Sequence, residues 1–279
     1  MLFSSFCWHY EDNSLYSISY NHLGCERTWY GVSGSQRLQF MEIAADHILD
    51  PSFAHNEDHL RLKTSLFSPG YALQHGIRVC KTIQRRGDFV ITLPGAFHAG
   101  FSHGFSCTEA INFALPDWFP WGKSEIKAYA RVARFPVIAY DELVIQCVDE
   151  AMKRGSKRRR RDDVFILEAL KSIISEEISC RSAAFPFVQQ VLKDSEDLID
   201  HCAQCHQALC LSYFVCGCKL TSRFCLDHIH EHIGCARANY RGIHVFLRYS
   251  SCELKQRYSD LKKMLENGRP AENAGRLRI

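Results

Sequence analysis

Seven of the chain's 14 cysteines fall in the stretch from Cys202 to Cys235, and that clustering constrains the fold more than any other feature. In order they are Cys202, Cys205, Cys210, Cys216, Cys218, Cys225 and Cys235, with His228 after the sixth. Pairs two to four residues apart on short knuckles suit tetrahedral zinc held by thiolates and imidazole. Apolar residues here are too sparse to hold a small fold by burial alone. A disulfide framework would need a secretory setting. The opening residues, MLFSSFCWHYED, have no basic stretch before the apolar one and run into acids, unlike a signal peptide. Zinc is therefore the expected staple of residues 201–240, and Cys210, between pairs, is the expected bystander.

The whole chain, 279 residues with 46% hydrophobic and 23% charged, is long enough for one good core or two smaller ones. This composition excludes an intrinsically disordered chain, and no apolar run approaches a membrane span, so no membrane partner is expected. The net charge of +3 is local. KRGSKRRRR, from Lys153 to Arg161, carries +7 by itself and leaves the remainder mildly acidic. Such a run suits nuclear import or nucleic-acid phosphates; a solvated loop between helices is the bland alternative.

Patterning divides the chain into four stretches. Residues 1–118 are rich in aromatic and β-branched residues, with strands expected at 14–20, 28–32, 88–93, 97–105 and 109–115. Helices are expected there at 37–49 and around 57–66. Residues 119–200 read as mostly helical and contain the basic run 153–161; Asp162 and Asp163 stand where an N-cap and first-turn carboxylates belong. The Cys/His cluster fills 201–240. Residues 250–279 read as an amphipathic helix closed by Gly268 and a polar tail. No internal repeat is evident.

In CWHYED, His9 and Glu11 are two residues apart, so on a strand they project from one face. His98, in LPGAFHAGF, follows another strand-like run. Two histidines and a carboxylate with open positions form the facial triad of non-haem Fe(II) oxygenases. Surface histidines beside acids are common, so the HxE pair carries little by itself.

Its surroundings carry more. FSSFCWHYEDNSLYSISYNHLGCERTWYGV and GDFVITLPGAFHAGFSHGFSCTEAINFALPDW resemble the two iron-binding segments of the JmjC histone lysine demethylases, in order and spacing, over most of residues 1–145. The resemblance implies a mainly β catalytic part, a double-stranded β-helix or jelly-roll, followed by a helical segment and a small zinc-binding module. By motif it assigns His9, Glu11 and His98 to Fe(II). The co-substrate 2-oxoglutarate would meet Phe6, Ser17 and Asn112, with Trp29 as an aromatic wall. Two positions depart from the pattern. Arg27 replaces the family's co-substrate lysine, and Ser19 replaces an asparagine. Arginine is always charged and pairs carboxylates bidentately, but it is longer and planar. Because Met1 leads straight into a strand-like run, an N-terminally truncated barrel is expected.

The cysteine spacing is similar to the finger that follows JmjC in the JARID (lysine demethylase five) group. That resemblance implies one zinc on Cys202, Cys205, Cys225 and His228, and a second on Cys216, Cys218, Cys235 and a residue near Ile233. Ile233 stands where the pattern has cysteine, leaving His232, or else His230, to supply the missing ligand. The implied function is oxidative N-demethylation of methylated lysine four on the histone H3 tail, in the nucleus, with the basic run available to nucleosomal DNA. Tyr10, by adjacency, is a candidate for methylammonium recognition at the barrel mouth. The rivals are a catalytically silent chromatin scaffold, favoured by Arg27, Ser19 and Ile233, and a protein hydroxylase.

Overall fold

The computed structural model describes residues 4–47, 60, 63–155, 162–194, 199–234 and 242–267. They divide into two compact units, Met1–Glu125 and Ile126–Ile279. No helix among the described residues is long and apolar enough to cross a membrane.

The first unit is built on β1 (Ser5–His9), β2 (Tyr16–Gly24), β3 (Arg27–Val32), β4 (Val79–Gln84), β5 (Phe89–Thr92), β6 (Phe97–Ser102) and β7 (Ser106–Phe113). They form two antiparallel sheets, ordered β1-β6-β3-β4 and β5-β2-β7, a jelly-roll core. The larger sheet is two-faced in the ordinary way. On one face Trp8, Val32, Phe97 and Ala99 are buried with Phe40 and Ile43 of α1 (Arg37–His47) and with Phe67. Phe6, Trp29 and His98 gather on the other. The smaller sheet inverts the rule. On β2, Ser17, Ser19 and Asn21 are buried while Ile18 and Tyr20 are only partly covered, and their neighbours Ile91 and Ile111 are 54% and 67% exposed. Polar side chains are costly to bury without partners, so an inward polar row marks a cavity with polar contents and not a packed core. Gly100 lets the first strand close over it: a Cβ there would collide with the Thr28 carbonyl and the Phe6 ring.

The structure adds β4 to the five strand ranges expected from sequence and makes β1 of the strand-like run near Met1. Residues 63–66 form a turn and an irregular run, not the helix expected around 57–66, and Ser65 accepts the Trp8 backbone N–H at 2.8 Å. Apart from Leu60, the rest of that stretch up to 62 lies outside the described residues. A short helix, α2 (Pro69–Gln74), follows, with Ser68 as N-cap and proline in its first turn.

A helix, α3 (Phe119–Arg131), runs from the first unit into the second. The second unit packs α4 (Tyr140–Arg154), α5 (Asp163–Ala184) and α6 (Ser251–Asn267) together, burying Val144, Val148, Leu170, Ile173, Leu254 and Leu261. It also contains a three-stranded sheet, with β10 (Ile243–Leu247) between parallel β8 (Gln190–Lys193) and antiparallel β9 (Ser212–Cys216). No strand is legible at these positions from sequence. Each is four or five residues long, and β9 runs into the cysteine cluster. At α6, Ser250 and Glu253 form a reciprocal capping box; Gly268 lies outside the described residues.

Asp162 occupies the N-cap position of α5, but its side chain caps nothing. Asp163 stands in the first turn, as expected, and also reaches back to Arg154 at 2.6 Å, a buried carboxylate taking a guanidinium. Arg154 is thereby engaged, as is Lys153 by Glu150, while 156–161 of the basic run lie outside the described residues. Buried Arg181 ties α5 to the start of α6. It donates to Glu177 at 2.7 Å, to the Tyr249 carbonyl at 2.8 Å and to Ser251 Oγ at 3.2 Å.

Candidate iron and zinc sites

His9, Glu11 and His98 each offer one ligand atom, and these lie within 4.8 Å of one another. His98 sits on β6 opposite Gly31 of β3 and His9 of β1. The β1–β6 register slips between Phe6 and His9, a bulge that turns both residues to the same face although they differ in parity. Each imidazole is aimed by its other nitrogen: His9 Nδ1 donates to Cys7 O at 2.7 Å and His98 Nδ1 to Ala96 O at 3.1 Å. A carbonyl only accepts, so Nδ1 carries the proton and the neutral ring presents the Nε2 lone pair. These Nε2 atoms lie 4.0 and 3.3 Å from Glu11 Oε1.

Burial, with His98 beside it, pushes the His9 pKa down to about 4. Burial would raise Glu11, but the interaction with His98 and the hydrogen bond from Asn112 prevail and hold it at about 2. The two Nε2 atoms and the Glu11 carboxylate thus converge on one place, as the ligands of one cation would. By donor type and spacing the cluster fits a divalent non-haem metal that needs open positions.

Of the other residues expected at the pocket, Phe6, Trp29 and Arg27 group together, while Ser17 and Asn112 have partners of their own. Phe6 packs on Trp29 with centroids 4.6 Å apart, and Trp29 stacks toward His98 at 5.9 Å. The Arg27 guanidinium lies over both rings, 4.8 Å from Phe6 and 5.2 Å from Trp29, and donates to Thr108 Oγ1 at 3.2 Å. Its Nε is buried without a partner, and so is Ser19 Oγ. Desolvation lowers the Arg27 pKa. Unpaired buried polar atoms at the positions expected to meet a dicarboxylate are what a co-substrate pocket would leave. Ser17 Oγ is engaged with Thr92 Oγ1 at 2.5 Å. The Asn112 amide donates to Glu11 Oε2 at 2.9 Å and to Tyr16 O at 3.3 Å. Sequence reading missed Ser102, paired in register with Arg27, and Thr108, although period-two alternation from His98 reaches Ser102.

Tyr10 needs correcting. It is buried, and its hydroxyl donates to Glu125 Oε1 at 2.9 Å in a network with Ser14 and Arg37. Strand alternation turns it away from the face shared by its neighbours His9 and Glu11, so it is a core residue.

In the second unit, Cys202, Cys205, Cys225 and His228 form one cluster with ligand atoms within 4.8 Å, and Cys216, Cys218 and His232 form another. In the first, the Cys202 thiol is driven below its ordinary range by hydrogen bonds from Cys205 and Cys225, while the Cys205 thiol is pushed up to about 11 chiefly by Cys202. His228 Nδ1 donates to Glu231 Oε1 at 2.9 Å, and the other Glu231 oxygen accepts from Gln204 at 2.6 Å. That is the carboxylate–imidazole support usual behind a zinc ligand, and it leaves Nε2 for the sulfurs. In the second cluster, Cys218 Sγ lies 3.1 Å from Cys216 Sγ and 3.4 Å from His232 Nδ1. Cys235 lies outside the described residues. His230 belongs to neither cluster, and Cys210, its thiol pushed up to about 12 by burial, stands apart from both.

Comparison with known proteins agrees with this geometry. A family profile described as "JmjC domain, hydroxylase" matches residues 1–113. Lysine-specific demethylase JMJ706 of Oryza sativa subsp. japonica is 33% identical over 257 residues, 84% of this chain and 29% of that protein. Lysine-specific demethylase JMJ17 of Arabidopsis thaliana is 32% identical over 94% of the chain and 22% of its own length. Lysine-specific demethylase 5B of Gallus gallus is 31% identical over 96% of the chain and 17% of its own length. The chain thus spans less than a third of each of these curated relatives. From the profile match, the jelly-roll core and these relatives together, the chain belongs to the JmjC-domain family.

Proposed function

We propose that this chain is the catalytic region of an Fe(II)- and 2-oxoglutarate-dependent histone lysine demethylase, acting on methylated lysine four of the histone H3 tail. The convergence of His9, Glu11 and His98, each histidine aimed by a backbone carbonyl, carries the reading. Bound iron, with oxygen and the co-substrate, supplies the oxidising chemistry that hydroxylates an N-methyl group, which is then lost as formaldehyde. The chain's residues hold and orient. Arg27 presents a guanidinium to the far carboxylate of 2-oxoglutarate. Ser19 and Ser17 offer hydroxyls, and the Phe6 and Trp29 rings keep water from the charged contact.

One zinc sits on Cys202, Cys205, Cys225 and His228, and a second on Cys216, Cys218, His232 and Cys235, both as structural staples. Support for the lysine demethylase five group comes from the match to the Gallus gallus protein, which runs well past the JmjC segment into the cysteine cluster. Nuclear import and contact with nucleosomal DNA are assigned to 153–161.

The test is formaldehyde and succinate release from methylated H3 peptides by the 279-residue chain loaded with Fe(II), 2-oxoglutarate and zinc. Equimolar products, lost on His98→Ala, support the reading. Co-substrate binding without formaldehyde would overturn demethylation and leave the hydroxylase. Failure to bind 2-oxoglutarate at all would leave the silent scaffold, the reading that Arg27 and Ser19 favour.

A further inference from the structure

We infer that Asn112 is a positioning residue that holds Glu11 in one-oxygen binding and so keeps a coordination position open at the triad; the inference rests on the metal reading above. Glu11 has two oxygens with different tasks. Oε1 faces the two imidazoles, 3.3 Å from His98 Nε2 and 4.0 Å from His9 Nε2. Oε2 accepts the Asn112 amide at 2.9 Å.

The orientation of that amide is over-determined. Its nitrogen also reaches the Tyr16 carbonyl at 3.3 Å, so both neighbours are acceptors and only the NH2 end can face them. Each of its two hydrogens has a partner. The backbone on both sides is pinned as well, since Asn112 of β7 pairs in register with Ser17 of β2, next to Tyr16. Between Glu11 and β2 the chain makes a tight turn with Asn13 and Ser14 in the left-handed region, at φ 53° and 51°, which brings the carboxylate back beside β7.

A carboxylate with both oxygens free closes readily on a divalent ion through both. Here the second oxygen would first have to give up a charge-assisted hydrogen bond to a donor that cannot follow it. Three protein groups then contribute one atom each, and the positions that a co-substrate and oxygen require stay unfilled. Asn112 acts on the ion through Glu11, whose Oε2 its amide holds.

The probe is Mn(II), an oxygen- and nitrogen-preferring ion that leaves zinc-filled thiolate sites alone. The zinc-loaded 279-residue chain is titrated with Mn(II), free ion being read by electron paramagnetic resonance and metal-bound water by water-proton relaxation. Wild type should bind Mn(II), and His98→Ala should not. Asn112→Asp, the same shape with an acceptor where the donor was, should bind about 10- to 100-fold more weakly with an unchanged thermal melt. Asn112→Ala, which frees Oε2, should carry one fewer exchangeable water on the bound ion. Wild-type affinity and water count in both variants would overturn the inference while leaving the metal site standing. Absence of His98-dependent Mn(II) binding in the wild type would overturn the site and the inference together.

Discussion

The two units assemble metal-ligand clusters by opposite strategies. In the second unit, Cys202, Cys205, Cys225 and His228 lie within 27 residues on knuckles and a short 3-10 turn, and the sheet beside them is only three short strands. In the first unit His9 and His98 are 89 positions apart and meet because β1 pairs with β6 in one register with one bulge. A local cluster has only a small core around it, with Phe214, Phe224, Leu226, Ile229, Ile243 and Val245 beside the cysteines, so its ion must carry much of the folding energy. A register-built cluster is held by the ladder and by the Trp8–Phe40–Phe97 core behind it, and the ion is a passenger in stability. Metal should therefore be worth folding energy in one unit and only function in the other.

The largest expected effect breaks the comparison if it fails. Cys225→Ser, or strong chelation of the zinc-loaded chain, should abolish the second unit's cooperative transition, since structural zinc contributes roughly 10 kcal/mol or more to small modules. The first unit's transition should persist in the same circular-dichroism melt. A variant melting as wild type would show that the sheet and helices suffice.

Next, Arg181→Met should cost the second unit about 3–5 kcal/mol by stranding Glu177 and the Tyr249 carbonyl, read by urea denaturation. A smaller loss would mean that the ions carry even more of that unit than the comparison allows. His98→Ala should weaken divalent-metal binding at least ~100-fold, about 2.7 kcal/mol, while shifting the first unit's melt little. A large loss of stability there would erase the contrast between the units. The smallest effect belongs to Tyr10→Phe, expected to cost about 1–2 kcal/mol because Glu125 keeps Ser14 and Arg37. Its Mn(II) affinity should match wild type; weakened binding would return Tyr10 to the site.

Much of this was legible in the residue order because it depends on short-range periodicity. The cysteine pairs, the His9–Glu11 spacing, five of the seven barrel strands and the helix from Ser251 all follow from patterns shorter than one element. Where two demands competed at one residue, sequence reading failed. Tyr10 chose Glu125 over the mouth. The hydrogen bond from Asn112 to Glu11 spans 101 positions, beyond the reach of any local pattern.

By itself, then, the order of residues determined which chemistry is available: thiolates in pairs, an imidazole and a carboxylate on one strand face, a guanidinium between aromatics. Only the tertiary structure decided how those groups are used. Bulges, strand register and the single hydrogen bond that divides a carboxylate's two oxygens are set by the free energy of the whole fold, which no local pattern records.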